Sequence, residues 1–288
     1  MLDHVRRFSF SPLRVDDLAL MTPRTSRRWF RRFADARERL RDQVPYVEHF
    51  PVNAGPPTQR SPLRIVSYNV HRWSGVAGGN RYRPELASRV IEELDADVLG
   101  LQEVLVPFDQ PDPVLQLAQD LDLHLVRVAT RAHRRGALCN AILSRYPVSR
   151  TQMIDLTLTR VEKRSAILVR LADPVGVEVV STHLAIVDRT RRRQVQTLLG
   201  HSGLQGPVVV LGDMNAWRQC KATRELDREF IDDHNNANWP ATFPSRRPLL
   251  ALDRIYARGA DVLRVNAVDT PAARLGSDHL PVVAEVAV

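Results

Sequence analysis

From residue 63 onward, short apolar runs recur, each ending in a polar side chain. Leu63–Tyr68 runs into Asn69, Asp97–Gln102 into Glu103, Val177–Thr182 into His183, and Val208–Gly212 into Asp213-Met214-Asn215. Leu250–Leu252 runs into Asp253, and Ser277-Asp278-His279 precedes a last run from Pro281 to Val288. Unbroken runs rich in β-branched residues predict strands covered on both faces. Between them, Pro84–Leu94, Pro113–Leu121 and Thr190–Leu199 carry helical start and stop signals. Strands that end in chemically capable residues, with helices outside, predict that those residues meet at one rim of the sheets.

Before residue 63 the pattern changes. Trp29, Phe33, Ala36 and Leu40 recur at helical spacing, so a helix within residues 24–41 has one apolar stripe and otherwise basic faces. Two readings fit it: a surface helix packed on the main domain with a solvated arginine face, or a peripheral helix on anionic lipid. Ser26–Phe30 resembles the opening of a twin-arginine export signal, but Asp35, Arg37, Glu38 and Arg39 stand where its apolar region should follow. Pro45, Pro51, Gly55, Pro56, Pro57 and Pro62 then predict a connector from Val44 to Pro62. The expected division is an extension with its linker over 1–60 and a main domain over 61–288.

The 288 residues suffice for one large core, and two cysteines are too few for a disulfide scaffold or a four-ligand zinc site. No apolar run approaches the roughly 18 residues that span a bilayer. The expectation is a cytoplasmic protein in which residues 24–41 are the place a peripheral membrane contact would form if the second reading of that helix holds, and no feature points to an obligate protein partner. The net charge of +8 is concentrated: residues 1–60 hold 12 basic against 7 acidic side chains, residues 61–288 only 29 against 26. A main domain so mildly basic accepts an anionic substrate without implying one.

Each strand-end motif alone has an ordinary explanation as a turn or a cap. Together, Ser67-Tyr68-Asn69, Leu101-Gln102-Glu103, Asn140–Arg145, Ser181-Thr182-His183-Leu184, Gly212-Asp213-Met214-Asn215, Leu252–Ile255 and Ser277-Asp278-His279 resemble the endonuclease/exonuclease/phosphatase superfamily. Its members include deoxyribonuclease I, exonuclease III and neutral sphingomyelinases. The resemblance implies an α/β (α+β) four-layer sandwich of the deoxyribonuclease I type, with two mixed β-sheets face to face and helices outside. Val104 follows Glu103 where the abasic-site endonucleases carry Lys, and His183 stands where they have a Tyr-containing segment. The chain therefore resembles the branch with two catalytic histidines.

That resemblance implies a phosphodiester hydrolase, nuclease-like, dependent on Mg2+ or Mn2+. Glu103, Asn69 and Asp278 are the expected metal ligands, since Mg2+ takes few protein oxygens and keeps room for water and phosphate. His279 is the expected general base, oriented by Asp253. Asp213 would orient the water, Asn215 and Asn140 would contact phosphoryl oxygens, and His183 would donate to a non-bridging or leaving oxygen. Nucleic acid is one substrate class; a phospholipid or other small phosphoester at a membrane surface is the alternative. A silent scaffold is a third reading, and the intact constellation argues against it.

Overall fold

In the computed structural model the described residues are 47–52, 57–79, 81–158, 163–204, 206–230 and 239–288. The amphipathic helix expected within 24–41 lies outside them. Every described element belongs to one compact unit within residues 44–288.

Twelve strands and five α-helices are described: β1 (Val47–Phe50), β2 (Leu63–Asn69), α1 (Pro84–Glu93), β3 (Val98–Pro107), α2 (Pro113–Asp120), β4 (His124–His133), β5 (Gly136–Ser144), β6 (Val148–Asp155), β7 (Ser165–Leu171), β8 (Glu178–His183), α3 (Asp188–Leu199), β9 (Val208–Asp213), α4 (Lys221–Phe230), β10 (Asp253–Arg258), β11 (Asp261–Ala267), α5 (Pro271–Gly276) and β12 (Val282–Ala287). Seven strands form one sheet in the order β1-β4-β5-β3-β2-β12-β11, and five form the other in the order β10-β9-β8-β7-β6. Both sheets are mixed: β2/β3 and β8/β9 are parallel, joined by crossovers through α1 and α3, and the remaining pairs are antiparallel.

The layers follow from side-chain alternation. Ile65, Val98, Val126 and Ile142 of the larger sheet bury against Ile167, Val179, Val209 and Ile255 of the smaller one. The opposite face of the larger sheet packs on Val90 and Ile91 of α1, Val114 and Leu117 of α2, and Ala273 of α5. The opposite face of the smaller sheet takes Val195 and Leu198 of α3 and Leu226 and Phe230 of α4. Apolar residues at i, i+3 and i+4 turn each helix toward its sheet. Asp112 and Thr270 cap α2 and α5, accepting from Leu115 N at 3.3 Å and Ala273 N at 3.1 Å, with proline at the first helical position. The expected four-layer sandwich is the observed fold. Among the described residues no helix is long and apolar enough to cross a membrane.

The connector expected from Val44 to Pro62 is partly strand. β1 pairs antiparallel with β4, from Val47 opposite Val128 to Phe50 opposite Leu125, so these four residues of the expected linker are an edge strand of the larger sheet. Four residues between prolines are too few for periodicity to register, and tertiary pairing decides the conformation.

Gly212, one residue before the rim, shows how close β8 and β9 lie. Its φ is +145°, and a Cβ there would stand 1.9 Å from the carbonyl oxygen of Thr182. Gly212→Ala is expected to cost roughly 3 kcal/mol by overpacking against backbone that cannot yield. At about 2–4 °C per kcal/mol for a domain of this size, thermal unfolding followed by circular dichroism should shift down by on the order of 10 °C. An unchanged midpoint would show that the strands separate there at little cost.

Candidate active site

The strand ends meet as their directions require. β8 and β9 are parallel, so His183 and Asp213 lie side by side in register. Asp253 stands opposite Asp213 on the antiparallel strand β10. The sequence pattern placed Asp253 after a strand; it instead begins one, because only the first residue of a strand antiparallel to β9 reaches this rim. Asn69 ends β2, whose register brings it beside Gln102, next to Glu103. Ser277 Oγ donates to Asn69 O at 2.6 Å, which brings Asp278 and His279 to the same place.

Asp213 is the hub. Its Oδ2 accepts from Asn69 Nδ2 at 3.1 Å and lies 3.4 Å from His183 Nε2 and 3.8 Å from His279 Nε2. His279 Nδ1 lies 2.8 Å from Asp253 Oδ2, which also accepts from Thr242 Oγ1 at 2.6 Å. Phe243 packs beside the imidazole, ring centroids 5.0 Å apart. One edge of His279 is thus tied to a buried carboxylate, and Nε2 faces Asp213.

These environments push the two histidines apart. Burial lowers the pKa of His183 well below 6.5, helped by Arg164, His279 and Arg131. Burial also opposes a charged His279, but the carboxylates of Asp253 and Asp213 outweigh it and raise its pKa. Asp213 itself is raised by burial, and Asp253 adds to the shift. Titratable groups with pKa values driven in opposite directions are the usual mark of an acid and base pair.

The second cluster surrounds Glu103. A register shift between Leu101 and Val104 bulges β3, and Glu103 sits at φ +53°, the left-handed region. His71, Arg72 and Trp73 form a turn with φ between 47° and 58°. It carries Arg72 Nε to 3.2 Å from Glu103 Oε2 and His71 Nδ1 to 3.2 Å from Asp278 Oδ1. Trp73 anchors the turn, its Nε1 donating to Leu105 O at 3.0 Å.

A divalent metal fits this cluster. Glu103 Oε2 is buried with no hydrogen-bond partner, and the carboxylates of Glu103 at the β3 bulge and of Asp278 before β12, with the amide oxygen of Asn69 at the end of β2, offer a hard-oxygen donor set. Asp213, Asp253 and His279 also place one ligand atom each within 4.8 Å of one another. Their atoms already serve the Asp–His pairing, whereas Glu103 Oε2 makes no hydrogen bond and faces the Arg72 guanidinium.

Asn215 and Asn140 each commit part of their amide to the backbone. Asn215, at φ +50°, donates its backbone N to Asp213 Oδ1 and its Nδ2 to Leu184 O, both at 2.8 Å, which makes an Asx-type turn. Asn140 Nδ2 donates to Ser165 O at 2.8 Å, although the residue lines a small cavity shared with Glu103 and His183. Each amide keeps one further N–H. The sequence reading missed Arg72, His71 and Thr242, and also Arg191. That buried guanidinium donates Nη1 to Ala185 O, Ile186 O and Asn215 O at 3.0, 2.8 and 2.7 Å. An Arg inside a stretch of arginines on an amphipathic helix carries no signal that it alone turns inward.

The Endonuclease/Exonuclease/phosphatase family model matches residues 66–279. The protein YbhP of Escherichia coli is 30% identical over 253 residues, covering 80% of this chain and 98% of its own. The endonuclease/exonuclease/phosphatase of Beutenbergia cavernae shares 21% identity at a TM-score of 0.62, covering 80% of this chain and 72% of that one. The mannosyl-6-phosphatase of Bacteroides thetaiotaomicron shares 17% at 0.58, covering 78% of this chain and 100% of that one. At these identities the two structures speak for the fold.

Proposed function

This chain belongs to the endonuclease/exonuclease/phosphatase family, whose members hydrolyse phosphoesters, and from that premise we propose that it is a Mg2+-dependent phosphodiesterase. The observation that carries the reading is the line Thr242–Asp253–His279, which leaves His279 Nε2 beside Asp213 and across from His183. Mn2+ is an acceptable substitute for Mg2+. Glu103 and Asn69, with Asp278, would hold the ion, and when bound it supplies positive charge to a phosphoryl oxygen.

His279 takes a proton from the attacking water at Nε2, and Asp253 holds the imidazole in the required tautomer. Asp213 fixes that water, accepting its other hydrogen. Oxygen adds to phosphorus as the bond to the leaving oxygen breaks, and the remaining N–H groups of Asn215 and Asn140 donate to phosphoryl oxygens as charge builds. His183, neutral through burial, donates a hydrogen bond to the leaving oxygen, which is protonated by solvent as it departs while His279 releases its proton to solvent. Hydrolysis of bis-(p-nitrophenyl) phosphate with and without EDTA, followed by Mg2+ or Mn2+ addition, tests the reading. No metal-restored turnover there, or on DNA, RNA and phospholipids, would overturn it.

The pH profile assigns the base. His279 accepts a proton only when unprotonated, and Asp253 with Asp213 raises its pKa above 6.5. The rate kcat/KM is therefore expected to keep rising with pH beyond neutrality. Asp253→Asn removes a charge that retains the proton, so the acid limb should move to lower pH while the plateau falls. A profile flat through neutrality and unmoved in Asp253→Asn would make His183, with its lowered pKa, the base instead.

A further inference from the structure

The two loops that leave His183 and Asn215 end in exposed apolar side chains. Ile186 and Val187 are 54% and 60% exposed, and Trp217 is 51% exposed. They are held in place: Arg191, itself buried, bonds Ile186 O and Asn215 O and lies 5.9 Å from the Trp217 ring. Ala185 N donates to Gln194 Oε1 at 2.8 Å. Asp188, its carboxyl kept below the usual range by the Cys220 thiol and then by Arg191 and Arg218, joins the same two loops. Their exposure is thus fixed by a buried polar anchor.

Val187 also occupies the N-cap of α3, with no side-chain cap bond. Ser, Thr, Asp or Asn would satisfy a free backbone N–H there, so an outward valine gives up helix stability. Next to them in the chain, Arg189 and Arg218 are exposed and basic, and the acidic neighbour Asp188 is paired to Arg191 at 3.0 Å. Branched aliphatic residues and a tryptophan interleaved with arginines match the chemistry of an anionic lipid interface: apolar groups enter the acyl boundary while arginines meet the phosphates. The position of this rim, two to four residues beyond His183 and Asn215, would bring a lipid headgroup to the site.

We propose that Ile186, Val187 and Trp217 dock this protein on an anionic membrane and that the phosphodiester it cleaves belongs to a lipid headgroup. The proposal rests on the phosphodiesterase reading. Water adds across one P–O bond of the headgroup, giving an alcohol and a phosphomonoester, with no other co-reactant.

The test compares the full-length protein with the Ile186→Ser/Val187→Ser/Trp217→Ser variant on vesicles of phosphatidylcholine with and without phosphatidylglycerol. Co-sedimentation with the anionic vesicles should fall at least ~10-fold in the variant. Turnover on the vesicle lipid should fall with it, while turnover of bis-(p-nitrophenyl) phosphate stays unchanged. Val187→Ser alone supplies the missing cap, so it should raise the melting midpoint by about 2–4 °C while weakening vesicle binding, a pairing that misfolding cannot produce. Undiminished vesicle binding by the triple variant, or none by the full-length protein, would overturn the proposal. Binding is read without turnover, so a protein inert on the soluble diester would overturn the phosphodiesterase reading and leave docking to be judged by sedimentation.

Discussion

His279→Ala should lower kcat by roughly 10³–10⁴-fold and leave KM nearly unchanged, because a general base acts mainly in the transition state. Asp253→Asn should lose less, since the imidazole remains and only its orientation and charge support are gone. In the double variant the losses should be far from additive, as in other sites where residues act as a unit. The geometry behind this is specific: 2.8 Å between His279 Nδ1 and Asp253 Oδ2, with Thr242 fixing the carboxylate from the other side. A kinetic double-mutant cycle on a soluble diester decides it. Additive losses would mean that the contact orders the fold without serving the reaction.

The second large effect is expected at Glu103. Glu103→Gln keeps shape and length but removes a negative oxygen, and metal affinity should fall by on the order of 100-fold as ligand charge is lost. Titrating Mn2+ by calorimetry measures this without turnover. Excess Mg2+ should then recover part of the rate. Unaltered affinity would move the metal to the Asp213, Asp253 and His279 cluster, whose ligand atoms lie within 4.8 Å of one another. Arg72 makes the comparison informative, because its guanidinium loses a counter-charge in Glu103→Gln. Arg72→Ala, combined with it, separates that loss from loss of the metal.

What could be read in advance was what periodicity encodes. Buried strands such as β2, β8 and β9 are apolar runs, and His183 and Asp213 had to share a rim once β8 and β9 were parallel neighbours. β6 and β11 alternate or vary in exposure, so their runs carry no comparable signal. β1 is too short to register at all. At the site, residue types were legible and hydrogen-bond assignments were not. Asn215 and Asn140 read as phosphate donors, yet each commits an amide N–H to a backbone carbonyl. The partners Arg72 and His71 depend on a left-handed turn that residues 71–73 do not announce, since none of the three is glycine or asparagine.

The left-handed backbone at Glu103 also bears on how this protein would respond to artificial evolution. A non-glycine residue held in that region costs on the order of 1 kcal/mol or more, and glycine would release the strain at some cost in unfolded-chain entropy. A library sorted only for resistance to heat should therefore tolerate or enrich glycine at position 103, and every such clone should be catalytically dead. Sorting the same library for turnover should return glutamate despite its conformational burden. The bulge in β3 is thus a place where selection for durability and selection for chemistry pull in opposite directions.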